Sequence, residues 1–596
     1  MPTLDFKGKQ FVYSHHLSVP FRELCIDPEK SLPVPGKTPS LDDNLIIHGD
    51  NLEALKALLP THAGKVDCIF IDPPYNTGNE GWCYNDNVRS PLMQEWLKKS
   101  ANPIDNEDLE RHDKWLCMMW PRLNLLKELL HEDGLLFVSI DDCEVDRLNL
   151  IIEEIFGSDS VLGRFIWKSR QNKDNRNTNG LSNDHEYVLV IGKQILGDRR
   201  TGDGFSNPDN DSRGSWTSGN MVGLASKEDR PNLHYDLLDP STGINYGCPP
   251  RGWRYDRNTM ARLIAEDSIL WPAKPTGRPR EKCFLSDLNA RTNASSVLDI
   301  NIFTRDGTDA FERVMGHREF AFPKPPQLIR HLITQHYNEN AIVLDSFAGS
   351  GTTGQAVLEA NLSDGGNRRF ILIECEDYAH KITAERIRKL INGYEFTGYQ
   401  RDELLSEKVT WSIFEKKHSE LLKKITAIED RVSTNYDSIK KEIKDGLLTV
   451  IGERKIQSFA QGISGSFTYC NLGEAIQIDS LLAGKDIPSF DVLARYVFYT
   501  ATGCSLTQVA KASVDGLIGE TDLFRIHLFY QPDITWLRSN EAALNIDKVK
   551  SIIANNPTKK RTIVFAVAKF MSQKELTTNR IEFCQLPYAI HRIMGS

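Results

Sequence analysis

A short acidic and aromatic motif, Asp72-Pro73-Pro74-Tyr75, directly follows the apolar run Val66–Ile71. The run has the composition of a buried parallel strand, and two consecutive prolines force the backbone out of the sheet at its carboxyl end. In open α/β sheets this edge is where ligands bind. There, Asp72 and the Pro73 carbonyl can accept hydrogen bonds from an exocyclic amine, while Tyr75 can stack on a flat ring. Alone, the tetrapeptide fits a Pro-Pro turn with a solvated aspartate better, so the chemistry needs a second signal.

A second motif, residues 345–353, follows the apolar run 341–344 and reads Asp-Ser-Phe-Ala-Gly-Ser-Gly-Thr-Thr. Its glycines let backbone N–H groups approach a nucleoside-bearing ligand closely at the start of the helix predicted over 354–360. The motif is not G-x-G-x-x-G and no Lys-Ser/Thr pair follows, which argues against a dinucleotide or a triphosphate. The next predicted strand, 369–373, ends in Glu374, whose carboxylate can accept both hydroxyls of a ribose.

Alternating strands and helices must position these motifs. Residues 44–50 predict a strand ending at Asp50, and 52–59 a short helix closed by Pro60. Apolar spacing predicts a helix over 107–133, then a strand at 135–140 and a helix over 145–156. Right-handed crossovers make the first two strands parallel neighbours in a doubly wound sheet, with Asp50 and Asp72 on one edge. Asp50 fits a helix N-cap as well as a ligand role.

Together, the motifs resemble the amino-methyltransferases of DNA that use S-adenosylmethionine, in the permuted β order where the catalytic motif precedes the cofactor motif. The stretches DPPYNTGNE, DHEYVLV and ARYVFYTATG are similar to the Mod methylation subunits of type III restriction-modification systems. The resemblance covers residues 44–395 with specific motifs and is looser beyond them.

The resemblance implies an α/β, Rossmann-like S-adenosylmethionine-dependent methyltransferase fold with an inserted target-recognition region and a smaller C-terminal α/β domain. The catalytic residues that carry over are Asp72, Pro73, Pro74 and Tyr75. The cofactor-binding residues that carry over are Asp50, Lys324, Asp345, Phe347, Gly349, Gly351, Thr352 and Glu374, with Lys324 taken from the segment Phe322-Pro323-Lys324-Pro325-Pro326.

The implied reaction is site-specific methyl transfer to N6 of an adenine flipped out of double-stranded DNA, in a restriction-modification or related defence system. N4 of cytosine is the alternative, since adenine is favoured only because the loop begins with Asp rather than the Ser usual in cytosine enzymes. A catalytically silent DNA-specificity subunit is a third alternative, against which the intact motif argues. The partners implied are double-stranded DNA and a restriction subunit with helicase and nuclease activity; a homodimer is compatible, and no membrane partner is expected.

Composition narrows the class of protein. No apolar run reaches 18 residues and the first residues form no apolar leader, so a cytoplasmic protein is expected. The 11 cysteines form no C-x-x-C and no His pairing at metal spacing, so neither disulfides nor a metal is predicted. The net charge of −9 argues mildly against nucleic acid. Locally, however, eight Lys and Arg between residues 251 and 282 lie among Trp and Tyr, and the DNA-binding candidates there are Arg251, Arg254 and Arg257.

These patterns divide the chain into six segments. The proline-rich start, 1–40, predicts an extended arm, and 41–194 and 316–400 the catalytic and cofactor-binding halves of the methyltransferase domain. The irregular, Gly- and Asn-rich stretch 195–315 predicts the target-recognition insertion. Residues 401–450 predict a helical connector, either a packed hairpin helix or a coiled coil. Residues 451–596 predict a C-terminal α/β docking domain with strands at 524–530, 562–568 and 580–583 and a helix at 547–554.

Overall fold

The computed structural model describes residues 3–78, 110–173, 180–200, 202, 204–298, 300–408, 418–432, 436–444, 447–476, 487–510 and 515–586. The chain forms two compact units. The larger consists of Met1–Ile195 with Ser296–Ser596, and the smaller is Leu196–Ser295.

The strands, numbered in chain order, are β1 Arg22–Leu32, β2 Leu45–His48, β3 Val66–Ile71, β4 Leu130–Ile140, β5 Val161–Trp167, β6 Glu186–Ile191, β7 Asp198–Arg199, β8 Trp216–Asn220, β9 Ile269–Leu270, β10 Arg280–Phe284, β11 Arg291–Thr292, β12 Val297–Leu298, β13 Ile342–Asp345, β14 Arg369–Glu374, β15 Tyr394–Lys408, β16 Ser438–Lys444, β17 Leu447–Ala460, β18 Phe467–Ala475, β19 Leu517–Glu520, β20 Phe524–Leu528, β21 Arg561–Ala566 and β22 Ile581–Gln585.

The α-helices are α1 Lys9–Val12, α2 His15–Ser18, α3 Asn51–His62, α4 Arg111–Leu129, α5 Val145–Phe156, α6 Arg257–Ala265, α7 Thr304–Met315, α8 Pro326–Ile333, α9 Thr352–Asp364, α10 Glu385–Asn392, α11 His418–Val432, α12 Phe490–Thr502, α13 Ile534–Leu537, α14 Ile546–Ala554 and α15 Gln573–Thr578.

A large sheet organises the larger unit, with its described strands in the order β1-β18-β2-β14-β13-β3-β4-β6-β5-β12. The strands from β18 to β4 are parallel to their neighbours, and β6 runs antiparallel to β4. Strand β3 is apolar throughout its second half and fully buried there, because helices cover both faces of a parallel sheet. The predicted doubly wound α/β fold is confirmed.

The predicted adjacency of β2 and β3 is wrong. The two strands are parallel, but β14 and β13 lie between them. Strand β13 pairs directly with β3, in the register Val343 to Cys68 and Leu344 to Ile69. Pairing between segments far apart in the chain inserts the cofactor half into the middle of the sheet, which brings the two sequence motifs to neighbouring strand ends.

The smaller unit has its own core around Met221, Tyr235, Trp253, Met260 and Ile269. A sheet of β8, β10 and β9 supports it. Its first and last strands, β7 and β11, pair antiparallel, with Asp198 opposite Thr292. The chain therefore enters and leaves this unit at one place, as expected of an insertion. The predicted insertion extended to residue 315, whereas residues 296–315, which include α7, belong to the larger unit.

Three predicted segments differ from the structure. Residues 1–40 contain α1, α2 and β1, and β1 is no free arm because it pairs with β18. Within 401–450 only α11 is helical among the described residues. Strand β15 precedes this helix, β16 and β17 follow it, and the three strands form an antiparallel sheet. Strand β18, predicted in the C-terminal domain, lies in the large sheet between β1 and β2. In each case a partner strand far away in sequence decides the structure. The predicted start of the helix at 107 lies outside the described residues.

The C-terminal part follows its predicted α/β pattern. Strands β19, β20, β21 and β22 form a sheet in that order, and α14 lies within one residue of its predicted start. The residues packed on this sheet share the core of the larger unit, including Ile526 and Phe565. Over the described residues, no helix is both long and apolar enough to cross a membrane. The same residues contain no His, Cys, Asp and Glu cluster suited to a metal ion.

Candidate active site

The carboxyl ends of four neighbouring parallel strands form one edge of the large sheet. They carry Asp50 beyond β2, Glu374 at the end of β14, Asp345 at the end of β13 and Asp72 just after β3. Strand β6 is antiparallel, so its first residue, Glu186, also arrives at this edge, where Tyr187 pairs with Ile140 of β4. The residues predicted from two distant motifs are thus brought together.

The first group at this edge is the DPPY loop, residues 72–75, which contacts Lys324. The Lys324 Nζ lies 3.0 Å from Asp72 Oδ1 and 3.3 Å from Glu186 Oε2. It also donates a hydrogen bond of 2.7 Å to the Tyr75 hydroxyl and lies 4.7 Å from the centre of the Tyr75 ring. In the structure the Lys324 ammonium lies between the Asp72 and Glu186 carboxylates, and its predicted role in cofactor binding stays a prediction.

The backbone of the DPPY loop is held from both sides. Trp115 Nε1 donates a 2.7 Å hydrogen bond to the Pro74 carbonyl, and Pro73 is buried. Asn76 follows with φ of 62°, a left-handed conformation that asparagine tolerates better than most residues. Its side-chain amide donates to the fully buried Glu144 at 2.5 Å. Since these anchors fix the loop, the Asp72 carboxylate is preorganised rather than a solvated turn residue.

Burial dominates the electrostatics around Asp72. It raises the pKa of Asp72, and the Lys324 ammonium opposes that rise. Burial alone would lower the pKa of Lys324, but the charges of Asp72 and Glu186 outweigh it and the pKa is raised. Lys324 is therefore a permanent cation in this site, and it favours the ionised form of Asp72.

The second group is the glycine loop, residues 346–351, between β13 and α9. The buried Asp345 carboxylate accepts hydrogen bonds from Thr353 Oγ1 at 2.5 Å and from the Phe347 N–H at 2.9 Å. Desolvation by burial raises the pKa of Asp345 to about 7, despite these hydrogen bonds. Phe347 is half-buried against the core. The Asp345 carboxyl group thus fixes the glycine loop through these hydrogen bonds, and it is partly protonated near neutral pH.

The acid at the end of β14 is tied to the same loop. Glu374 Oε2 accepts from the Gly349 N–H at 2.7 Å, and Oε1 accepts from the Glu376 N–H at 3.0 Å. Gly349 has φ of 51° and Gly351 φ of 79°, where a Cβ is strained. A Cβ on Gly351 would also lie 3.1 Å from the Thr383 carbonyl oxygen. The glycines are therefore required by the backbone as it stands. A carboxylate has about four lone-pair sites, so Glu374 keeps capacity for further donors.

Two predicted cofactor residues have structural partners. The Thr352 hydroxyl accepts a 2.9 Å hydrogen bond from Arg386 Nη1, a fully buried guanidinium whose pKa is lowered by burial to about 9. Asp50 caps α3, accepting from the Leu52 N–H at 2.9 Å and the Glu53 N–H at 3.2 Å. The N-cap alternative for Asp50 is thus confirmed, while a ligand role for Asp50 or Thr352 stays a prediction.

Sequence reasoning missed three residues of this edge. Glu186 lies within the DHEYVLV stretch that carried the resemblance, but only the antiparallel direction of β6 brings it to the site. Phe320 and Tyr378 meet edge to face at 5.6 Å. The Phe320 ring lies 3.1 Å from where a Cβ on Gly349 would be, so these rings flank the glycine loop. Aromatic residues in connecting segments gave no periodic signal that could have revealed them.

A stability measurement can test the proton on Asp345. Its folded pKa of about 7 lies above the ordinary aspartate value of 3.8, so the folded state binds the proton more tightly. This contribution to stability is complete below the unfolded pKa and is lost as pH rises through the folded value. Relative to Asp345→Asn, which cannot titrate, we expect wild-type stability to fall by about 2.5 kcal/mol between about pH 5 and pH 8. Urea unfolding of both proteins would measure this; parallel stability curves would contradict it.

The three DNA-binding candidates lie in the smaller unit, and all are exposed. Arg257 stacks at 4.7 Å over Tyr235, and Arg254 lies 5.9 Å from the Tyr255 ring centre. Arg251 donates to the Leu224 carbonyl at 3.3 Å. In contrast, Lys282 from the same basic stretch is buried and paired with three aspartates, at 2.7 to 3.6 Å, so it is not free for phosphates. Not all the basic side chains of residues 251–282 are therefore available to bind phosphates, as the sequence had suggested.

Comparison with known proteins gives a family match. The family model described as DNA methylase (N6_N4_Mtase) matches residues 66–385. The EcoP15I Mod subunit of a type III restriction-modification enzyme of Escherichia coli is 29% identical over 388 residues, 56% of this chain and 58% of that subunit. The EcoPI Mod subunit of Escherichia phage P1 is 30% identical over 450 residues, 65% of this chain and 64% of that subunit. The chain thus spans about three fifths of the length of these relatives.

A shorter relative is covered more completely. The type II methyltransferase M.KpnI of Klebsiella pneumoniae is 30% identical over 365 residues, 57% of this chain and 81% of the relative. Among solved structures, the M1.HpyAVI-SAM complex is 16% identical and covers 57% of this chain and 99% of that chain, with a TM-score of 0.26.

Proposed function

We infer that this chain, which belongs to the N6/N4 DNA methylase family, transfers a methyl group from S-adenosylmethionine to N6 of adenine in double-stranded DNA. One observation carries the proposal. The pairing of β3 with β13 puts the DPPY loop and the glycine loop at neighbouring strand ends, so an acceptor of amine hydrogen bonds and a nucleoside cradle share one edge. Neither loop alone could bring both substrates together.

The residues of the glycine loop fit S-adenosylmethionine. The carboxylates of Asp345 and Glu374 give the edge a negative potential, which suits a cationic ligand. Glu374 retains lone pairs for ribose hydroxyls, and the rings of Phe320 and Tyr378 offer apolar surface beside the loop for an adenine ring. When bound, S-adenosylmethionine supplies an electrophilic methyl group carried by a sulfonium.

The residues of the DPPY loop would handle the base. An exocyclic amine is a poor nucleophile while its lone pair is delocalised into the ring, so Asp72 and the Pro73 carbonyl would accept its two N–H groups and redirect the lone pair toward the methyl. Asp72 is also the group to which the amine proton would move after transfer. Since the amine of a paired adenine is unreachable, the base would have to be flipped out of the duplex.

A direct assay tests the function. The purified chain is incubated with radiolabelled S-adenosylmethionine and mixed-sequence duplex DNA, and the labelled nucleosides are separated. Label in N6-methyladenine supports the proposal, and label in N4-methylcytosine would replace adenine by cytosine as the target. Single-molecule sequencing of DNA from cells with and without the chain would then give the modified sequence. Absence of any label, with the cofactor bound, would favour a silent DNA-specificity subunit instead.

A valine in the glycine loop should weaken cofactor binding. In Gly349→Val the β-branched residue is strained at φ of 51°, and its Cβ meets the Phe320 ring at 3.1 Å. Such strain and displacement should lower S-adenosylmethionine affinity at least ~10-fold. Gly365→Val is the matched control, because Gly365 has φ of 76° and open space around it. Calorimetry showing equal cofactor affinity in a folded Gly349→Val variant would reject the assignment.

We further propose that the chain is the modification subunit of a restriction-modification system, working with a restriction subunit, and that residues 196–295 read the DNA sequence. Similarity to two Mod subunits supports the first part. The exposed arginines and separate core of the smaller unit support the second. Affinity purification of the tagged chain from its own cells, with or without a co-purifying nuclease subunit, tests the partnership, and light scattering tests a homodimer.

A further inference from the structure

Glu186 approaches both the Lys324 ammonium and the Tyr75 hydroxyl, the same two groups that Asp72 contacts from the DPPY loop. Its Oε2 accepts a 2.8 Å hydrogen bond from Tyr75 and lies 3.3 Å from Lys324 Nζ. The side chain is 16% exposed, so these contacts are made largely out of water. The carboxylate belongs to β6, outside both sequence motifs to which the chemistry was assigned.

We propose that Glu186 is a positioning residue for methyl transfer, which holds Lys324 and Tyr75 in place so that Asp72 remains available to the substrate amine. The proposal rests on the methyltransferase function inferred above. It assigns to β6 a part in the reaction that neither the DPPY loop nor the glycine loop supplies.

The hydrogen count at Tyr75 supports this arrangement. A tyrosine hydroxyl has one proton and two lone pairs. The proton goes to Glu186, while one lone pair receives Lys324 at 2.7 Å. Ser139 Oγ, at 2.8 Å and fully buried, can donate to the second lone pair. Asp72 is in hydrogen-bonding contact with the same hydroxyl, so the bond to Glu186 directs the single proton away from Asp72 and orients the ring.

The charge count at Lys324 supports it as well. One ammonium serves two carboxylates at nearly equal distances, 3.0 Å to Asp72 and 3.3 Å to Glu186. If Glu186 lost its charge, the ammonium would pair with Asp72 alone. A tighter ion pair would compete with the amine for the lone pairs of Asp72 and weaken it as an acceptor. Glu186 therefore shares the Lys324 ammonium with Asp72 and weakens the ion pair between Lys324 and Asp72.

The charged and titratable groups facing Asp72 are Lys324, Tyr75, Glu186 and Asp345. Burial is the largest cause that raises the pKa of Asp72; Lys324 lowers it and Glu186 raises it. Asp345 also faces Asp72, and each raises the pKa of the other when ionised. Removing the charge of Glu186 should therefore lower the pKa of Asp72, a change that a purely structural role would not produce.

The test compares pH profiles of single-turnover methylation at saturating DNA and S-adenosylmethionine, which avoids product release. In Glu186→Gln we expect the plateau rate to fall about tenfold and the acid limb to move about one pH unit lower. Glu186→Asp keeps the charge but holds it farther from Asp72, so its acid limb should lie between that of wild type and that of Glu186→Gln. Asp345 is present in every variant and is coupled to Asp72, so the limb reports on the pair, and a difference between variants reports the change made at Glu186.

The matched control is Asp133→Asn. Asp133 pairs with Lys193 at 2.6 Å, which links β4 to the end of β6 away from the DPPY loop. This variant removes an ion pair at the opposite end of β6 and should change neither rate nor limb. A folded Glu186→Gln with a wild-type profile overturns the proposal, and so does a slower variant with an unshifted limb.

The outcomes also separate this proposal from the function on which it rests. If wild-type protein transfers no methyl group, the proposed function fails. If wild-type protein methylates DNA and the limb stays in place, only the role of Glu186 fails. Should Glu186→Gln be unable to fold in a thermal melt, Glu186→Asp decides: a reduced plateau with an unshifted limb overturns the proposal, and a limb moved lower supports it.

Discussion

Replacing Asp72 with alanine should lower the single-turnover rate of methyl transfer at least ~100-fold, while S-adenosylmethionine affinity stays within a few-fold. The carboxylate lies in the DPPY loop and pairs with Lys324, whereas the N–H groups of the glycine loop donate to Asp345 and Glu374. An interaction with the amine that strengthens as positive charge develops on nitrogen acts mainly in the transition state. Its loss should therefore appear in the rate rather than in cofactor binding.

Asp72→Asn separates charge from shape in this prediction. The amide keeps an oxygen that can accept one N–H of the base, but it has no charge to oppose Lys324 and cannot take up the amine proton. We expect its rate to lie between those of wild type and Asp72→Ala. Calorimetry measures cofactor affinity, and a thermal melt checks folding of both variants. Near-normal turnover in Asp72→Ala would overturn the assignment of Asp72 as the acceptor.

The local parts of this site could be predicted from sequence because they depend on short-range chemistry. Two prolines after an apolar run end a strand wherever it lies in a sheet, and Asp72 therefore had to leave β3 at its carboxyl end. The positive φ of Gly349 and Gly351 is likewise a property of the residue type. The N-cap at Asp50 follows from the acid preceding α3.

The strand order could not be predicted, because it depends on pairing between segments far apart in the chain. Chain order made β2 and β3 neighbours, yet β13 and β14 occupy the space between them. The place of Lys324 had the same cause: its segment resembled a cofactor motif, but pairing of β13 with β3 brings it to Asp72. The position of Glu186 could not be predicted for a related reason: an apolar pattern indicates a strand but not its direction in the sheet.

In residues 401–450 the apolar spacing correctly predicted one helix but not the strands on either side of it. The spacing of Leu421, Ile425 and Ile428 does form a helix, α11. Around it, the charged residues of β15 gave no alternation of apolar and polar side chains. Their strand conformation comes from pairing with β17, which begins about 40 residues later. Burial of Leu448 and Val450 against Ile425 then joins helix and sheet in one small core.

Exchanging residues 196–295 for the equivalent segment of a related methyltransferase should transfer the sequence that is methylated. The smaller unit is suited to exchange because β7 and β11 pair where the chain enters and leaves it. Its core around Trp253 is its own. The DPPY and glycine loops lie in the larger unit and would keep their hydrogen bonds, so the chimera should retain its catalytic rate on the new sequence.

This last prediction depends on the different roles of two kinds of contact: phosphate contacts position a protein on DNA, and base contacts read the sequence. The catalytic and cofactor-binding halves resemble a scaffold common to many specificities, so discrimination is expected from side chains outside them that reach base edges. Arg251, Arg254 and Arg257 are exposed, and two of them are braced by tyrosine rings, which limits the entropy lost on binding. Single-molecule sequencing of DNA from cells with the chimera gives the readout, and a reciprocal chimera is the control. If both chimeras fold and methylate DNA yet keep their original sequences, the sequence is read elsewhere, and residues 1–40 and 451–596 are the next segments to exchange.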